Sequence, residues 1–292
     1  MESRSDKPPL IVIVGETASG KSSLALRLAE RFAGEIICAD SWTVRKDVNI
    51  GTAKPTTEER QRVPHHLLDI VAPCEDFSAA IFKGLANQTI VDITSRGKVP
   101  IMVGGTGLYV DSVLFDYSFL PAPPKQQREE LNALTIEQLL SRIKQCGYSL
   151  EGVDVRNKRR LIRLLESGGE KPVQHTMRQN TLVLGVARSR EVLRQRIIER
   201  VRQMIDQGLE QEVRQLSSKY GWQCEALKGI GYHEWQEYFA GSQDLERTKQ
   251  RIIKDSLDLA KRQRTWFRRN NNTHWICSLE ESVDIVTTFL DK

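Results

Sequence analysis

The chain has 292 residues, of which 39% are hydrophobic and 28% charged, with a formal net charge of +5 at pH 7. This length suits one large or two modest domains, and the composition is typical of a globular protein. No apolar run approaches the roughly 18 residues that span a membrane, and no apolar stretch precedes the first predicted strand, so we expect neither a membrane span nor a signal peptide. The five cysteines are scattered and lack C-x-x-C spacing. This pattern favours reduced thiols, a cytoplasmic location and no structural zinc.

The first predicted elements are a strand at 10–14 and a helix at 21–33, joined by the segment GETASGKS. This segment fills the phosphate-loop (P-loop) pattern G-x-x-x-x-G-K-[ST] in the strand–loop–helix context that the pattern requires. Backbone N–H groups of such a loop surround an anion, and the helix adds the positive end of its dipole. The alternative is a glycine-rich turn that binds nothing. We expect a diphosphate or triphosphate to contact Gly15, Glu16, Thr17, Ala18, Ser19, Gly20, Lys21 and Ser22, with Mg²⁺ held by Ser22.

Further strands are predicted at 35–39 and 99–103, with helices near 56–62 and 78–95. This alternation indicates a parallel sheet flanked by helices, in which ligands collect at the carboxyl ends of the strands. Asp40 follows the second strand and could accept a proton, or it could only cap the next segment. Thr106 follows the third strand in a glycine-rich segment that is either a ligand contact or a tight turn.

A proline-rich break at 120–124 separates this pattern from a charged region at 125–170, which is predicted to form short helices. After a polar connector at 171–180, a strand is predicted at 181–186. Apolar residues spaced by three and four from Leu193 to Leu216 then predict one long helix. We expect an α/β, P-loop NTPase-like parallel sheet flanked by helices, with a small all-helical insertion domain. The predicted divisions are 1–120 and 179–292 for the catalytic core and 121–178 for the insertion.

Basic residues cluster at two places. Near the C-terminus they accompany Trp266 and Phe267, a combination suited to phosphates and unstacked bases, although the aromatics could be core and the cations a solvated face. His65 and His66 lack a third ligand at suitable spacing, so we interpret them as structural or substrate-contacting and not as a metal site. The clustered cations are Lys158, Arg159, Arg160 and Arg163 in the insertion, and Lys249, Arg251, Lys254, Lys261, Arg262, Arg264, Arg268 and Arg269 near the C-terminus.

Several segments together resemble the tRNA dimethylallyltransferases, the isopentenyl-transferase family that prenylates adenosine. The resemblance covers most of residues 10–118 and 181–269 and includes the order of the motifs. The matching segments are VGETASGKS from Val14, ADS from Ala39, IGTAKP from Ile50, VPHHLLDI from Val63, VGGTGLY from Val103, GIGY from Gly229 and AKRQRTWFR from Ala260.

The resemblance implies transfer of a dimethylallyl group from dimethylallyl diphosphate to the exocyclic amine (N6) of the adenosine 3′ of the anticodon, with release of pyrophosphate. Asp40 would be the general base, and Lys21 and Thr106 would act at the diphosphate and the amine. Mg²⁺ is the implied cofactor, the anticodon stem-loop of tRNA the implied partner, and we expect a monomer. The implied tRNA-contacting residues are Asp40, Ser41, Trp42, Thr43, Thr106, Arg159, Arg160, Arg163, Lys228, Gly231, Tyr232 and His233.

The sequence also departs from the family pattern. Glu16 stands where the family usually has proline, and Thr43 replaces a glutamine thought to recognise the target base. The insertion is short, which leaves prenylation of free AMP or ATP as an alternative acceptor chemistry. Two other classes stay open: a P-loop kinase of a nucleoside or small metabolite, and a non-catalytic RNA-binding protein with a relic loop. The second and third motifs and the basic C-terminal helix argue against the kinase. The intact Lys21, Ser22, Asp40 and Thr106 argue against the relic loop.

Overall fold

The computed structural model describes residues 7–120, 124–170 and 173–291. Residues 1–6, ahead of the first strand, lie outside the described residues. So do residues 121–123 of the predicted proline-rich break and residues 171–172 of the predicted connector.

A six-stranded sheet with the strand order β3-β2-β4-β1-β5-β6 forms the centre of the larger part of the chain. Every neighbouring pair is parallel, which confirms the predicted sheet. All six residues of β1 are buried, because helices cover both faces. The two edge strands were not predicted, since they are too short to show a hydrophobic pattern. The strands are β1 (Leu10–Gly15), β2 (Gly34–Cys38), β3 (His65–His66), β4 (Val99–Gly104), β5 (Thr181–Val186) and β6 (Thr273–Ile276).

Twelve helices are present in the described part of the chain, together with a 3-10 turn at Glu225–Lys228. The first four lie between β1 and the proline-rich break: α1 (Lys21–Arg31), α2 (Thr57–Arg62), α3 (Ala79–Ser95) and α4 (Gly107–Leu114). The next three belong to the insertion: α5 (Lys125–Ala133), α6 (Ile136–Gln145) and α7 (Lys158–Glu166). The last five are α8 (Arg190–Asp206), α9 (Leu209–Tyr220), α10 (Trp235–Phe239), α11 (Leu245–Phe267) and α12 (Leu279–Leu290).

The long helix predicted after β5 is wrong in one respect, because it is two helices. The chain leaves the helical conformation at Gly208, whose φ of 97° is left-handed and favours glycine. The apolar spacing continues across the break, so periodicity alone did not reveal it. The two helices still contribute to one hydrophobic cluster, in which Met204 of α8 and Leu209 of α9 are both buried.

The chain divides into two compact units, one formed by Met1–Leu114 with Arg178–Lys292 and the other by Phe115–Met177. The smaller unit contains α5, α6 and α7 and corresponds to the predicted helical insertion. It has its own core, in which Leu139, Ile143 and Leu161 are fully buried. The amphipathic pattern of α7 places its leucines in this core, so its basic residues lie towards solvent or form ion pairs within the unit.

A disulfide joins Cys74 to Cys224, with their Cα atoms 4.7 Å apart. The expectation of reduced thiols therefore does not hold for this pair, which sequence spacing could not reveal because 150 residues separate the two cysteines. Next to the bridge, the N–H of Ala226 donates to the carbonyl of Pro73 at 3.0 Å. In the part of the chain that the structure describes, no helix is long and apolar enough to cross a membrane.

Candidate active site

The P-loop connects β1 to α1 in a tightly packed conformation. A Cβ on Gly15 would lie 2.8 Å from Ser19 Oγ and 2.9 Å from the carbonyl oxygen of Val186, so only glycine fits there. Ala18 has a φ of 60°, which is strained for a residue with a side chain. At the start of α1, Lys21 Nζ donates to the carbonyl of Glu16 at 3.2 Å. The loop conformation therefore needs support from outside the loop.

Helices α8 and α11 supply that support. From α8, Arg196 Nη1 donates to the carbonyl of Ser19 at 3.1 Å, and Arg200 Nη1 donates to Thr17 Oγ1 at 3.1 Å. From α11, Gln263 Oε1 accepts from the Thr17 N–H at 2.7 Å while its Nε2 donates to the Gly105 carbonyl at 3.0 Å. Gln263 thus ties the P-loop to the loop after β4.

Lys21 lies in a basic but partly compensated environment. Its burial and the nearby Arg200 guanidinium lower its pKa to about 8, whereas the carboxylates of Asp40 and Glu16 act in the opposite direction. Burial also lowers the pKa of Arg200. Two cations held this close without a full complement of counter-ions form a site for a polyanion, because a bound anion would restore the favourable solvation that burial removes.

Asp40 and Thr106 lie at the carboxyl ends of β2 and β4, as the sequence predicted. Asp40 Oδ1 accepts from the N–H groups of Trp42 at 2.9 Å and Thr43 at 3.4 Å, so this carboxylate does cap the next turn. Its Oδ2 makes no hydrogen bond to another described residue. Thr106 Oγ1 accepts from the Ser41 N–H at 2.9 Å and donates to Ser41 Oγ at 3.3 Å. Capping therefore occupies one Asp40 oxygen and leaves the other available to a ligand.

A cavity of about 320 Å³ lies beside Asp40 and the P-loop. Its walls include Thr17 of the P-loop, Asp40, and Arg200 of α8. Apolar side chains such as Ile197 and Leu259 complete the lining, so the cavity joins cationic, acidic and apolar surfaces. This combination suits a small molecule with a phosphate end and a hydrocarbon end.

Most predicted tRNA-contacting residues of the larger unit lie at or near this cavity. Trp42, Lys228 and Gly231 line it, and Lys228 Nζ also pairs with Glu225 at 2.7 Å. Tyr232 differs, because it is fully buried and its hydroxyl donates to Glu212 Oε1 at 2.7 Å. A contact between Tyr232 and a macromolecule does not fit this conformation, and Tyr232 is a core residue.

The other predicted tRNA-contacting residues are divided between local contacts and solvent. Thr43 is buried, and His233 Nδ1 lies 3.0 Å from the Gly229 carbonyl. In the insertion, Arg163 Nη2 donates to the carbonyl of Leu120 at 2.8 Å. Arg159 and Arg160 are exposed on α7.

Glu212 organises one wall of the cavity and was not predicted. Its two carboxylate oxygens accept from the N–H groups of Asn49, Ile50 and Gly51 at 3.0 to 3.2 Å. A Cβ on Gly51 would lie 2.5 Å from the ring of Tyr232, so this loop packs without space for a side chain. The wall formed by residues 51 and 52 is therefore positioned by α9.

Sequence reasoning also missed Arg200 and Gln263. Arg196 and Arg200 are four residues apart and share one face of α8. The sequence did not distinguish this pair, because the same helix also carries Arg190, Arg194 and Arg202. Gln263 belongs to a recognised motif, yet its side chain had no assigned contact.

Comparisons with known proteins agree with this geometry. The model of the IPP transferase family matches residues 43–270. A tRNA dimethylallyltransferase from Staphylococcus aureus (strain JH9) is 41% identical over 97% of this chain and 98% of its own length. One from Anoxybacillus flavithermus is 41% identical over 94% of this chain and 92% of its own length. The chain belongs to the IPP transferase family.

Solved structures show the same relationship. The crystal structure of a tRNA isopentenylpyrophosphate transferase from Staphylococcus epidermidis has a TM-score of 0.74 and 38% identity, covering 98% of this chain and 99% of that one. A eukaryotic dimethylallyltransferase acting on tRNA has a TM-score of 0.73 and 29% identity, covering 89% of this chain and 70% of that one. The P-loop NTPase-like fold is thus shared with the family.

Proposed function

We propose that this chain transfers a dimethylallyl group from dimethylallyl diphosphate to the N6 amine of the adenosine 3′ of the anticodon in tRNA. In this reaction a C–N bond forms, the allylic C–O bond breaks, and pyrophosphate leaves with the bonding electron pair. The observation that carries the proposal is the single cavity lined by Thr17 of the P-loop, Arg200 and Asp40. It offers cations for the leaving group and a carboxylate for the amine.

The diphosphate end of the substrate would lie against the P-loop. Lys21 and Arg200 would stabilise the negative charge that develops on the pyrophosphate as the C–O bond breaks. Such preorganised charges stabilise a leaving group because they need no reorientation during the reaction. The apolar residues Ile197 and Leu259 in the same cavity suit the five-carbon chain.

The acceptor amine would lie at Asp40. The lone pair of an exocyclic adenine amine is delocalised into the ring, so the amine is a poor nucleophile, and a base helps by taking its proton as the C–N bond forms. Asp40 Oδ2 would accept that proton, and Oδ1 is held by the N–H groups of Trp42 and Thr43. Thr106 would orient the adjacent backbone through its hydrogen bond to the Ser41 N–H.

Mg²⁺ fits the donor set of the loop. Ser19 Oγ is buried and has no hydrogen-bond partner among the described residues, and Ser22 is the second residue of α1. Hydroxyl and phosphate oxygens are the hard ligands that Mg²⁺ prefers. We propose that Ser22 would hold the ion, which would neutralise diphosphate charge when bound.

tRNA would contact exposed cations in each unit. On α11 these are Lys254, Lys261 and Arg262, and Arg268 follows at the end of that helix; none of the four has an acidic partner among the described residues. In the insertion, Arg160 of α7 is exposed. Phosphates of an RNA stem-loop provide the complementary charge, and an unpaired loop releases its base from stacking at the lowest cost. We propose a monomeric enzyme acting in the cytoplasm.

A labelling experiment tests the proposal. The protein is incubated with labelled dimethylallyl diphosphate and, in separate reactions, with bulk tRNA, AMP or ATP. We expect label in tRNA alone and free pyrophosphate in equal amount. Label in AMP or ATP without label in tRNA would contradict the proposal and support synthesis of a free prenylated nucleotide.

A further inference from the structure

Glu16 places a carboxylate inside a loop that is expected to bind an anion. An unpaired negative charge there would repel a diphosphate. In the structure Glu16 is 5% exposed, and its carboxylate accepts a charge-assisted hydrogen bond from Nε of Arg264. This bond raises the pKa of Arg264, because the Glu16 carboxylate favours the charged guanidinium.

Arg264 belongs to the turn of α11 that carries Gln263. Gln263 accepts from the N–H of Thr17, which follows Glu16 in the chain, and donates to the carbonyl of Gly105. Arg264 Nη2 lies 3.5 Å from the carbonyl of Arg188, just after β5. One turn of α11 therefore contacts the P-loop and the segments after β4 and β5, the two strands that flank β1.

The backbone of Glu16 controls the resting position of the P-loop lysine. Its carbonyl accepts from the Ser19 N–H and from Lys21 Nζ, both at 3.2 Å. A displacement of residue 16 would move the ammonium group of Lys21 with it. The side-chain pair and the lysine are thus linked through a single residue.

From these contacts, and resting on the proposed function, we propose that Glu16 and Arg264 are a coupled pair of positioning residues for the diphosphate. Arg264 neutralises the acid within the P-loop and holds the loop from α11 in the conformation that receives the diphosphate. Because Arg264 neutralises the negative charge of Glu16, removing Arg264 should weaken diphosphate binding chiefly when Glu16 keeps its charge.

Isothermal titration calorimetry with dimethylallyl diphosphate tests this coupling without requiring turnover. We expect Arg264→Met to weaken binding about tenfold, the effect of losing one charge-assisted contact. Glu16→Gln alone should change Kd by less than about threefold, and adding it to Arg264→Met should recover most of the loss. Glu191→Gln is the matched control, because Glu191 is an exposed acid whose charge also acts on Arg264.

A second variant tests the same pair. Arg264→Lys keeps a positive charge beside Glu16, so we expect it to bind the diphosphate within about threefold of wild type. A loss of about tenfold in Arg264→Lys that Glu16→Gln does not recover would contradict the pair. Thermal melting checks that each variant is folded, and Arg264→Lys decides alone if Arg264→Met unfolds.

Rescue of diphosphate binding by Glu16→Gln supports the pair. Failure of Glu16→Gln to rescue Arg264→Met would overturn the proposed pair. A change in tRNA affinity with unchanged diphosphate affinity would also overturn it and would make Arg264 an independent RNA contact. If the wild-type protein binds the diphosphate but transfers no label to tRNA, the proposed function is contradicted. The calorimetric test of the Glu16–Arg264 pair still holds in that case, because it measures only diphosphate binding.

Discussion

Replacing Asp40 with asparagine removes proton acceptance and preserves the shape of the site. Asn Oδ1 can still accept from the N–H groups of Trp42 and Thr43, so the turn after β2 should keep its conformation. We expect the chemical step to slow by about 10²–10⁴-fold, the usual contribution of general base catalysis, which is roughly 3–5 kcal/mol of barrier. The affinity for tRNA should change by no more than about threefold.

The assay is single-turnover transfer with enzyme in excess over labelled diphosphate and saturating tRNA. It should be run well below the Lys21 pKa of about 8, because the Asp40 charge also raises that pKa. Asp40→Ala adds the loss of the cap and should further lower the free energy of unfolding by about 1 kcal/mol. Asp47→Asn is a control for loss of an acid outside the cavity, at a residue that bonds Tyr220. A near wild-type single-turnover rate for Asp40→Asn would refute Asp40 as the base.

Four further predictions follow from other contacts. Since the pKa of Lys21 is lowered to about 8, kcat/KM for the diphosphate should fall about tenfold per pH unit above pH 8, and Lys21→Arg should abolish this fall. A wild-type kcat/KM that does not change above pH 8 would contradict a role for Lys21 in binding the diphosphate. Arg200→Ala should raise KM for the diphosphate about 10–100-fold and leave KM for tRNA nearly unchanged in steady-state assays. Arg160→Ala should lower the steepness of log K against log salt for tRNA binding by somewhat under one. Arg163→Ala should leave that steepness unchanged, because Arg163 bonds the carbonyl of Leu120 within the insertion. The same decrease in both variants would mean that both residues contact phosphates. Cys224→Ser should lower the free energy of unfolding by about 2–5 kcal/mol in urea titrations without reductant, and equal stability would show that the thiols are reduced in solution.

Local sequence patterns were sufficient to predict the strands and helices that carry the P-loop. Residues 10–14 and 181–186 are continuous apolar runs because both faces of their strands are buried, and the GKS signature marks the start of α1. Asp40 and Thr106 were found because the ends of parallel strands meet at one edge of a sheet. The break at Gly208 was missed, since apolar spacing of three and four continued through it.

Only the tertiary structure reveals the contacts between residues that are far apart in the chain. Glu16 and Arg264 are 248 residues apart, and Gln263 reaches Thr17 across 246, so no local pattern connects them. Arg200 is one of several arginines on α8, and only the fold shows that its guanidinium contacts the P-loop. Sequence patterns report which face of an element is apolar, because burial imposes periodicity on each segment separately. The partner of a charged side chain depends on how segments pack, and that information appears only when the chain is folded.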